Sequence, residues 1–248
     1  MRIGRVLWKG REIAVFEEAP GRLRGPAGEV IPAGDAVFLP PVRPSKIVCV
    51  GRNYREHARE LGNPMPARPL LFLKAPSSLL PSGGTILLPE DSSRVEYEGE
   101  IALVVGKPCH RLGEREDPLS CLLGVTPLND VTARDLQKLD VQFSRAKSFD
   151  TFCPVGPFVE TEPSWEALDV RTLRNGTVVQ EGRASEMAFP LPDLVRYISR
   201  AMTLLPGDLI ATGTPAGVGP LLPGDVVAVE TAGIRLENAV ESWPPEGR

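Results

Sequence analysis

Three glutamates alternate with other residues in VEYEGEIALVVG, the segment from residue 95 to residue 106. The aliphatic and β-branched second half of this segment predicts a strand. Side chains two positions apart on a strand point to the same face, so Glu96, Glu98 and Glu100 would form one row of carboxylates beside an apolar run. Such carboxylates repel one another unless a cation neutralises them. The pattern therefore predicts an all-oxygen metal site, which suits Mg²⁺, Mn²⁺ or Ca²⁺ better than zinc.

The same pattern also fits a solvated edge strand, whose charges prevent pairing with other chains. The abrupt change to IALVVG favours the metal site, because it places the acids next to a buried region. Asp130 follows the apolar run LLGVTPLN and is a candidate third ligand. Alternatively, Asp130 serves as an acid at the start of the next helix.

A histidine and a glutamate three residues apart form a second candidate. His57 and Glu60 lie in YREHARELG, whose composition predicts a helix with Gly62 as its C-cap. Their spacing puts them on one helix face. A carboxylate beside an imidazole raises its basicity and orients it, which gives a base that can activate water or move a proton. The alternative is an ion pair on a charged surface helix.

Lys147 and the loop ATGTPAGVG complete the candidates. Lys147 is one of only six lysines among 28 basic residues, and its ammonium could neutralise an enolate or a carboxylate. A surface position is the alternative. The loop at 211–219 has neither the Gly-Lys-Ser/Thr of a Walker loop nor a following helix. It either offers backbone N–H groups and Thr214 to a small carboxylate or simply connects two strands.

Composition excludes several classes of protein. The 248 residues are 42% hydrophobic and carry a formal net charge of −4, which gives no basic surface for nucleic acid. No apolar run is long enough to cross a bilayer, and the first residues lack the apolar core of a signal peptide. The expected location is the cytoplasm. The four cysteines form no CxxC pair, which favours reduced and partly buried thiols.

Strand signals outnumber helix signals, so the fold is predicted to be mainly β with a few helices. The expected division is a small N-terminal β segment over residues 1–45, a catalytic domain over 46–241 and a tail over 242–248. Asn175 and Gly176 predict a hairpin turn. A helix is predicted over 191–205, and Thr132 is the expected N-cap of a helix in TARDLQKL. The motif LLPGD occurs twice, from 204 and from 221, each time before a strand.

The ordered segments resemble the fumarylacetoacetate hydrolase family. They are KIVCVGRNYREHARE, RPLLFLKAPSSL, VEYEGEIALVVGK, NDVTARDLQ, RAKSFDTFCPVGP, LRNGTVVQEG and MTLLPGDLIATGTPAGVG. The resemblance implies the mixed β-roll or barrel of that family's C-terminal domain. It also implies a divalent ion, Mg²⁺ or Mn²⁺, held by Glu98, Glu100 and Asp130. Glu96 falls on a variable position and would lie outside the ligand set.

The resemblance assigns further roles. His57 and Glu60 match a pair on the family's mobile lid, and Lys147 matches its active-site lysine. Residues expected to contact substrate are Arg52, Gln137 and Thr214. A homodimer is the expected assembly.

The substrates that the resemblance implies share a 2-oxo acid group or its enol. The motifs look nearest to the homoprotocatechuate-pathway enzyme, which isomerises and decarboxylates 2-oxo and 2-hydroxydienoic dicarboxylic acids through a metal-stabilised enolate. Hydrolysis of an acylpyruvate or fumarylpyruvate, or decarboxylation of oxaloacetate, is the alternative within the family. A non-enzymatic, metal-dependent binding module is the alternative of another class.

Overall fold

The structure of the protein is a computed structural model that describes residues 1–243. Strands dominate this part of the chain, which confirms the predicted mainly β fold. The strands are β1 (Arg2–Trp8), β2 (Arg11–Ala19), β3 (Arg22–Arg24), β4 (Val30–Pro32), β5 (Val37–Leu39), β6 (Ile47–Gly51), β7 (Leu70–Lys74), β8 (Leu79–Pro81), β9 (Thr85–Leu88), β10 (Val95–Tyr97), β11 (Gly99–Val105), β12 (Leu122–Asn129), β13 (Thr132–Ala133), β14 (Cys153–Val155), β15 (Phe158–Glu160), β16 (Asp169–Arg174), β17 (Thr177–Arg183), β18 (Leu209–Ala211), β19 (Gly219–Pro220), β20 (Val226–Thr231) and β21 (Ile234–Ser242). The helices are α1 (Arg55–Glu60), α2 (Arg134–Leu139), α3 (Ser144–Lys147) and α4 (Leu191–Ala201).

Most strands join one large sheet. Its main order is β4-β3-β2-β1-β15-β12-β11-β18-β6-β7, and β5, β8 and β14 attach to it off this path. Strand β11 lies between β12 and β18, antiparallel to both, and every one of its residues is buried. Burial of both faces explains why its sequence is a continuous apolar run rather than an alternating one. The acids that precede this run therefore lie at the edge of the core.

The N-terminal strands extend the large sheet. Strand β1 pairs with β15, and strands β1 to β4 bury a cluster made of Val6, Val15, Leu23 and Ile31 with Phe158. The predicted N-terminal β segment is thus hydrogen-bonded to the rest of the chain. The domain boundaries at 45 and 241 stay predictions. Of the predicted tail, residues 244–248 lie outside the described residues.

A five-stranded sheet, in the order β17-β16-β20-β21-β9, packs against the large one. The β16–β17 hairpin turns at Asn175 and Gly176, whose φ angles of 52° and 78° are both positive, as a type I′ turn requires. The two LLPGD motifs each lead into a strand, β18 and β20. These local predictions are confirmed.

Helix α4 covers the core with one apolar face. Leu194, Val195 and Ile198 are completely buried, and each contributes about 1.5–3 kcal/mol of burial free energy. The helix begins with Pro192 in its first turn, as predicted, but it ends at Ala201 rather than 205, because Met202 adopts an extended backbone. No helix within residues 1–243 is long and apolar enough to span a membrane.

The predicted helix caps have mixed outcomes. Gly62 has a φ of 68° just beyond α1, which fits a glycine that ends a helix, although the capping position itself is Leu61. Thr132 is not the N-cap of α2, because it pairs with Glu96 in the β13–β10 ladder and Ala133 occupies the cap. All four cysteines are free, as predicted, and they are fully buried.

Candidate active site

Glu98 lies where the chain passes from one sheet to another. The predicted strand over 95–106 is divided, because β10 belongs to a three-stranded sheet with β13 and β19, whereas β11 enters the large sheet. Gly99 allows a close approach at this point, since a Cβ atom there would lie 1.9 Å from the hydroxyl oxygen of Thr172. All three glutamates nevertheless border the same cavity.

The antiparallel ladder between β11 and β12 brings Asp130 to Glu98. Asn129, the last residue of β12, is opposite Gly99, the first residue of β11. The Asp130 amide donates to the Glu98 carbonyl at 2.8 Å, and the Glu98 amide donates to the Asn129 side chain at 2.9 Å. These bonds fix Asp130, which follows β12, beside Glu98, which precedes β11.

Glu98, Glu100 and Asp130 form a buried carboxylate triad. One carboxylate oxygen from each lies within 4.8 Å of the others, and the three residues are at most 5% exposed. This burial rules out the solvated edge strand. The Glu96 carboxylate is also buried, but it accepts hydrogen bonds from Arg94 at 2.6 Å and Arg134 at 2.7 Å and does not join the triad.

Buried cations surround two members of the triad. Lys147 Nζ lies 2.6 Å from Glu98 Oε2 and 2.8 Å from Asp130 Oδ2. Lys74 Nζ donates to Asp130 Oδ1 at 2.7 Å, and Arg134 Nη2 donates to Glu98 Oε1 at 2.5 Å. Lys147 is only 2% exposed, so the surface alternative for it is wrong. The Asp130 side chain bonds to lysines rather than to a helix start, so that alternative is wrong as well.

Sequence reasoning missed Lys74 and Arg134. Both are almost completely buried, at 1% and 4% exposure. The scarcity of lysine, which drew attention to Lys147, applies equally to Lys74 at the end of the apolar strand β7. Arg134 gave no such signal, because arginine is abundant in this chain.

Burial and neighbouring charges shift the pKa values of Glu98, Glu100 and Lys147 in different directions. Burial disfavours the charged form of Glu98, but the nearby Lys147 and Arg134 outweigh it and lower the pKa of this carboxyl group. Burial raises the pKa of Glu100 well above its ordinary value, and the charges of Asp130 and Glu98 raise it further. Burial also disfavours the Lys147 ammonium, yet Asp130 and Glu98 raise its pKa overall.

Glu100 is the member of the triad that lacks a cation. Its Oε2 accepts a hydrogen bond from the Gly213 amide at 2.7 Å, and it forms no ion pair with any residue in 1–243. A buried carboxylate between two others costs free energy unless a proton or a metal ion neutralises it. Three converging carboxylates suit a hard divalent cation. The residues present therefore fit the expected metal.

His57 faces this cluster from α1. It is 5% exposed, so the surface ion pair is wrong as a description of this residue. Its Nδ1 lies 3.5 Å from Glu60 Oε2, which is beyond a good hydrogen bond, and it has no other hydrogen-bond partner among the described residues. Burial, the largest influence, lowers the pKa of His57 despite the nearby Glu98 charge. This shift favours the neutral form of the imidazole.

The residues expected to contact substrate line the same cavity, though two of them bond to the protein. Gln137 accepts a hydrogen bond from Arg134 at 2.7 Å. The Thr214 hydroxyl donates to the Gly99 carbonyl at 2.9 Å and accepts from Gln180 at 2.8 Å. The loop at 211–219 directs two amides to carboxylates of the protein, from Gly213 to Glu100 and from Gly217 to Glu60. It is thus a scaffold for the site.

One cavity of about 460 Å³ connects these groups. Its volume suits a small organic molecule. Every residue singled out in the sequence as a site residue borders it, namely Arg52, His57, Glu60, Glu98, Glu100, Asp130, Gln137, Lys147 and Thr214. Their individual roles stay predictions. The arrangement combines acids that can hold a metal, a neutral base and an ammonium group within reach of one ligand.

Comparison with known proteins identifies the family. Residues 46–241 match the family model described as Fumarylacetoacetate (FAA) hydrolase C-terminal. The chain belongs to the fumarylacetoacetate hydrolase family. Enzymes of this family commonly depend on a divalent metal, and the carboxylate triad is consistent with that dependence.

Several members of the fumarylacetoacetate hydrolase family are similar along most of this chain. The solved 5-carboxymethyl-2-hydroxymuconate delta-isomerase of Mycobacterium smegmatis is 39% identical, with a TM-score of 0.90 over 98% of this chain and 100% of that one. The 2-hydroxyhepta-2,4-diene-1,7-dioate isomerase of Mycobacterium marinum is 40% identical, with a TM-score of 0.86 over the whole of both chains. Oxaloacetate tautomerase YisK of Bacillus subtilis is 45% identical over 190 residues, which are 74% of this chain and 63% of that protein. These relatives support an enzymatic role for this chain.

Proposed function

We propose that the chain is a divalent-metal-dependent isomerase and decarboxylase of 2-oxo and 2-hydroxydienoic dicarboxylic acids. One observation carries the proposal: a carboxylate triad, a buried histidine and a buried lysine border a single cavity. Both reactions develop negative charge on the 2-oxygen of the substrate. Isomerisation in addition moves a proton between carbon atoms.

Glu98, Glu100 and Asp130 would hold the ion, either Mg²⁺ or Mn²⁺. The bound ion supplies a Lewis acid that draws electron density from the substrate's carbonyl group. Glu100 is central to this role, because it has no cationic partner among residues 1–243. Lys74 and Arg134 hold the other two carboxylates in place by ion pairs.

His57 would carry the proton. An imidazole must be unprotonated to accept a proton from carbon, and burial lowers the pKa of His57, which favours that form. Glu60 lies 3.5 Å from Nδ1 and is close enough to stabilise the imidazolium that results. Because both residues belong to α1, a rotation of either side chain is sufficient to shorten this contact to a hydrogen bond.

Lys147 would stabilise the developing enolate. Its ammonium is held between Glu98 and Asp130, and its raised pKa keeps it charged. Three N–H donors allow one to point at substrate while the others keep their carboxylate partners. A positive charge fixed in a site that excludes water stabilises an oxyanion more strongly than it would in solution.

Oxaloacetate tautomerisation is the second candidate, favoured by the similarity to YisK. Keto–enol exchange of oxaloacetate requires the same His57 proton transfer and no carbon–carbon cleavage. Hydrolysis of an acylpyruvate would instead use His57 to activate water.

A substrate panel tests these proposals. Wild type and Glu100→Gln are incubated with Mg²⁺ and 2-hydroxyhepta-2,4-diene-1,7-dioate, 5-oxopent-3-ene-1,2,5-tricarboxylate, oxaloacetate or fumarylpyruvate. Dienol or enol absorbance, CO₂ and pyruvate are measured. We expect enol–keto conversion, and release of CO₂ from the tricarboxylate, by wild type alone. Release of pyruvate from fumarylpyruvate as the fastest reaction would favour the hydrolase, and tight Mg²⁺ binding without any turnover would favour a binding module.

We also propose that the chain forms a homodimer, on the basis of the family it belongs to. Light scattering on the purified chain tests this assembly. A mass of about twice 26.8 kDa is expected, and a mass of 26.8 kDa would contradict it.

A further inference from the structure

Some of the cations that line the active-site cavity form ion pairs with carboxylates of the described residues, and others do not. Arg94 and Arg134 bond to Glu96, Arg134 and Lys147 bond to Glu98, and Lys147 also bonds to Asp130. Two other cations border the same cavity, Arg52 and Lys138. Neither forms an ion pair or a side-chain hydrogen bond with any residue in 1–243. The cavity therefore has positive charge that the protein leaves available to a ligand.

Arg52 is the better placed of these two cations. It is partly buried, whereas Lys138 is exposed on α2. Arg52 also has a φ of 57°, an uncommon conformation for a residue with a side chain. Such conformations persist where the surrounding structure imposes them, often at ligand sites. The neighbouring Asn53 is fixed by hydrogen bonds to the Thr212 and Phe189 carbonyls and from the Phe189 amide.

The position of Arg52 sets it on the Glu100 side of the cavity. It follows β6, whose parallel partner β18 leads directly to the Gly213 amide that bonds Glu100. The paired cations Lys147 and Arg134 lie instead on the side of Glu98. A ligand with one end at the carboxylate triad can thus extend toward Arg52 without competing with an existing ion pair.

The cavity wall between the carboxylate triad and Arg52 suits a short carbon chain. Leu70 is opposite Gly51 in the β6–β7 ladder, and Phe72 is opposite Cys49. Both Leu70 and Phe72 border the cavity. The path from the triad to Arg52 therefore combines an anchoring end, an apolar wall and a terminal guanidinium.

We infer that Arg52 binds the second carboxylate of a dianionic substrate and so selects dicarboxylic over monocarboxylic 2-oxo acids. This inference rests on the proposed function, since the first carboxylate and the 2-oxygen must be held at the triad. A guanidinium binds a carboxylate through two parallel hydrogen bonds. Loss of such a charge-assisted pair leaves a partly buried cation without its partner.

A matched pair of acids tests the inference. 2-Oxoglutarate and 2-oxopentanoate have the same five-carbon chain and differ only in the terminal carboxylate. Their dissociation constants are measured by calorimetry at saturating Mg²⁺ for wild type, Arg52→Gln, Arg52→Lys and Lys138→Gln. We expect wild type and Lys138→Gln to bind 2-oxoglutarate about 10- to 100-fold more tightly than 2-oxopentanoate.

Arg52→Gln should reduce this preference to about threefold or less while leaving 2-oxopentanoate binding nearly unchanged, which also verifies that the variant is folded. Arg52→Lys should retain part of the preference, because it keeps the charge without the bidentate geometry. A preference that survives in Arg52→Gln, that is absent from wild type, or that disappears in Lys138→Gln overturns the inference and leaves the proposed function standing. If wild type neither binds these acids nor turns over any 2-oxo acid of the substrate panel, the proposed function and the inference both fall.

Discussion

Asp208 and Glu100 are buried carboxylates at opposite ends of the short strand β18, in opposite surroundings. Asp208 precedes the strand and accepts hydrogen bonds from the Ser45 and Leu205 amides, the Ser45 hydroxyl and the Lys46 ammonium, at 2.5–2.9 Å. Glu100 meets the loop after the strand and accepts one bond, from the Gly213 amide. Burial disfavours the charge at both sites, but Lys46 and these donors lower the pKa of Asp208, whereas that of Glu100 is raised.

The difference separates a structural carboxylate from one available to a ligand. The protein itself supplies every partner that Asp208 needs, and these partners tie residues 45–46 to the turn before β18. Asp225 repeats this arrangement in the second LLPGD motif, with Arg174, Asn175 and the Leu222 amide as partners. Glu100 has carboxylates for neighbours, so a proton or a cation from outside the chain is needed to neutralise its charge.

The largest expected effect is on turnover by Glu100→Gln. We expect activity with Mg²⁺ to fall about 10³-fold or more, because loss of the ion removes several kcal/mol of transition-state stabilisation. Stability of the metal-free protein should not decrease, since the change removes repulsion from Glu98 and Asp130. Steady-state kinetics and denaturant unfolding in chelator measure the two effects. A variant that keeps its activity, or that is strongly destabilised without metal, would show that Glu100 is a structural carboxylate like Asp208.

The next largest effect concerns the proton carrier. His57→Ala should slow isomerisation or hydrolysis by about 10²–10⁴-fold and largely spare decarboxylation, which needs no base. Lys147→Ala should impair all three reactions, because each develops charge on the same oxygen. Rates of each reaction at saturating Mg²⁺ distinguish the two roles. If His57→Ala stops decarboxylation as completely as Lys147→Ala does, the histidine does more than transfer a proton.

Asp208→Asn should affect stability rather than catalysis. We expect a loss of about 2–4 kcal/mol at pH 7, because buried donors lose a charged acceptor, and no more than about a twofold change in kcat. The lowered pKa of Asp208 stabilises the fold fully above the ordinary aspartate pKa near 4, and this contribution is lost as pH falls through the folded-state value. Unfolding free energies from pH 7 down to pH 2.5 measure it. The gap between wild type and Asp208→Asn should shrink with acid, and a constant gap would contradict this origin.

The smallest effect is expected at Glu96. Glu96→Gln should change Mg²⁺ affinity by about threefold or less, because the native carboxylate is directed to Arg94 and Arg134 rather than to the triad. Calorimetric titration of Mg²⁺ measures it, with Glu98→Gln as the matched change two residues away. Loss of the ion from Glu96→Gln alone would shift the ligand assignment along the strand.

Local signals in the sequence predicted local structure. The turn at Asn175 and Gly176, the start of α4 and the turns of the LLPGD motifs depend on residues within a few positions, so composition was sufficient. The grouping of Glu98, Glu100 and Asp130 in space likewise agrees with the predicted ligand set. The break in the strand at Glu98 was not predictable, because it arises where β10 and β11 join different sheets, whose other strands are distant in the sequence.

The counter-ions of the site were beyond sequence reasoning for a similar reason. Lys74 and Asp130 are 56 positions apart, and their ion pair exists only when β7 and the end of β12 meet. The burial of His57 also depends on tertiary packing. Four of the six residues of α1 are charged, which predicts a surface helix rather than a buried histidine. The predicted site residues do border one cavity, but the ion-pair partners Lys74 and Arg134 were found only in the structure.

A calorimetric Mn²⁺ and Mg²⁺ titration of the metal-free chain tests most directly whether Glu98, Glu100 and Asp130 hold a metal ion. The proteins compared are wild type, Glu100→Gln and Asp208→Asn. Each variant replaces one buried carboxyl group, Asp208 before β18 or Glu100 beside the loop that follows it. We predict one ion per chain for wild type and for folded Asp208→Asn, and a loss of affinity of about 100-fold or more for Glu100→Gln. Equal metal affinity in wild type and Glu100→Gln would contradict the assignment of this cluster as the metal centre.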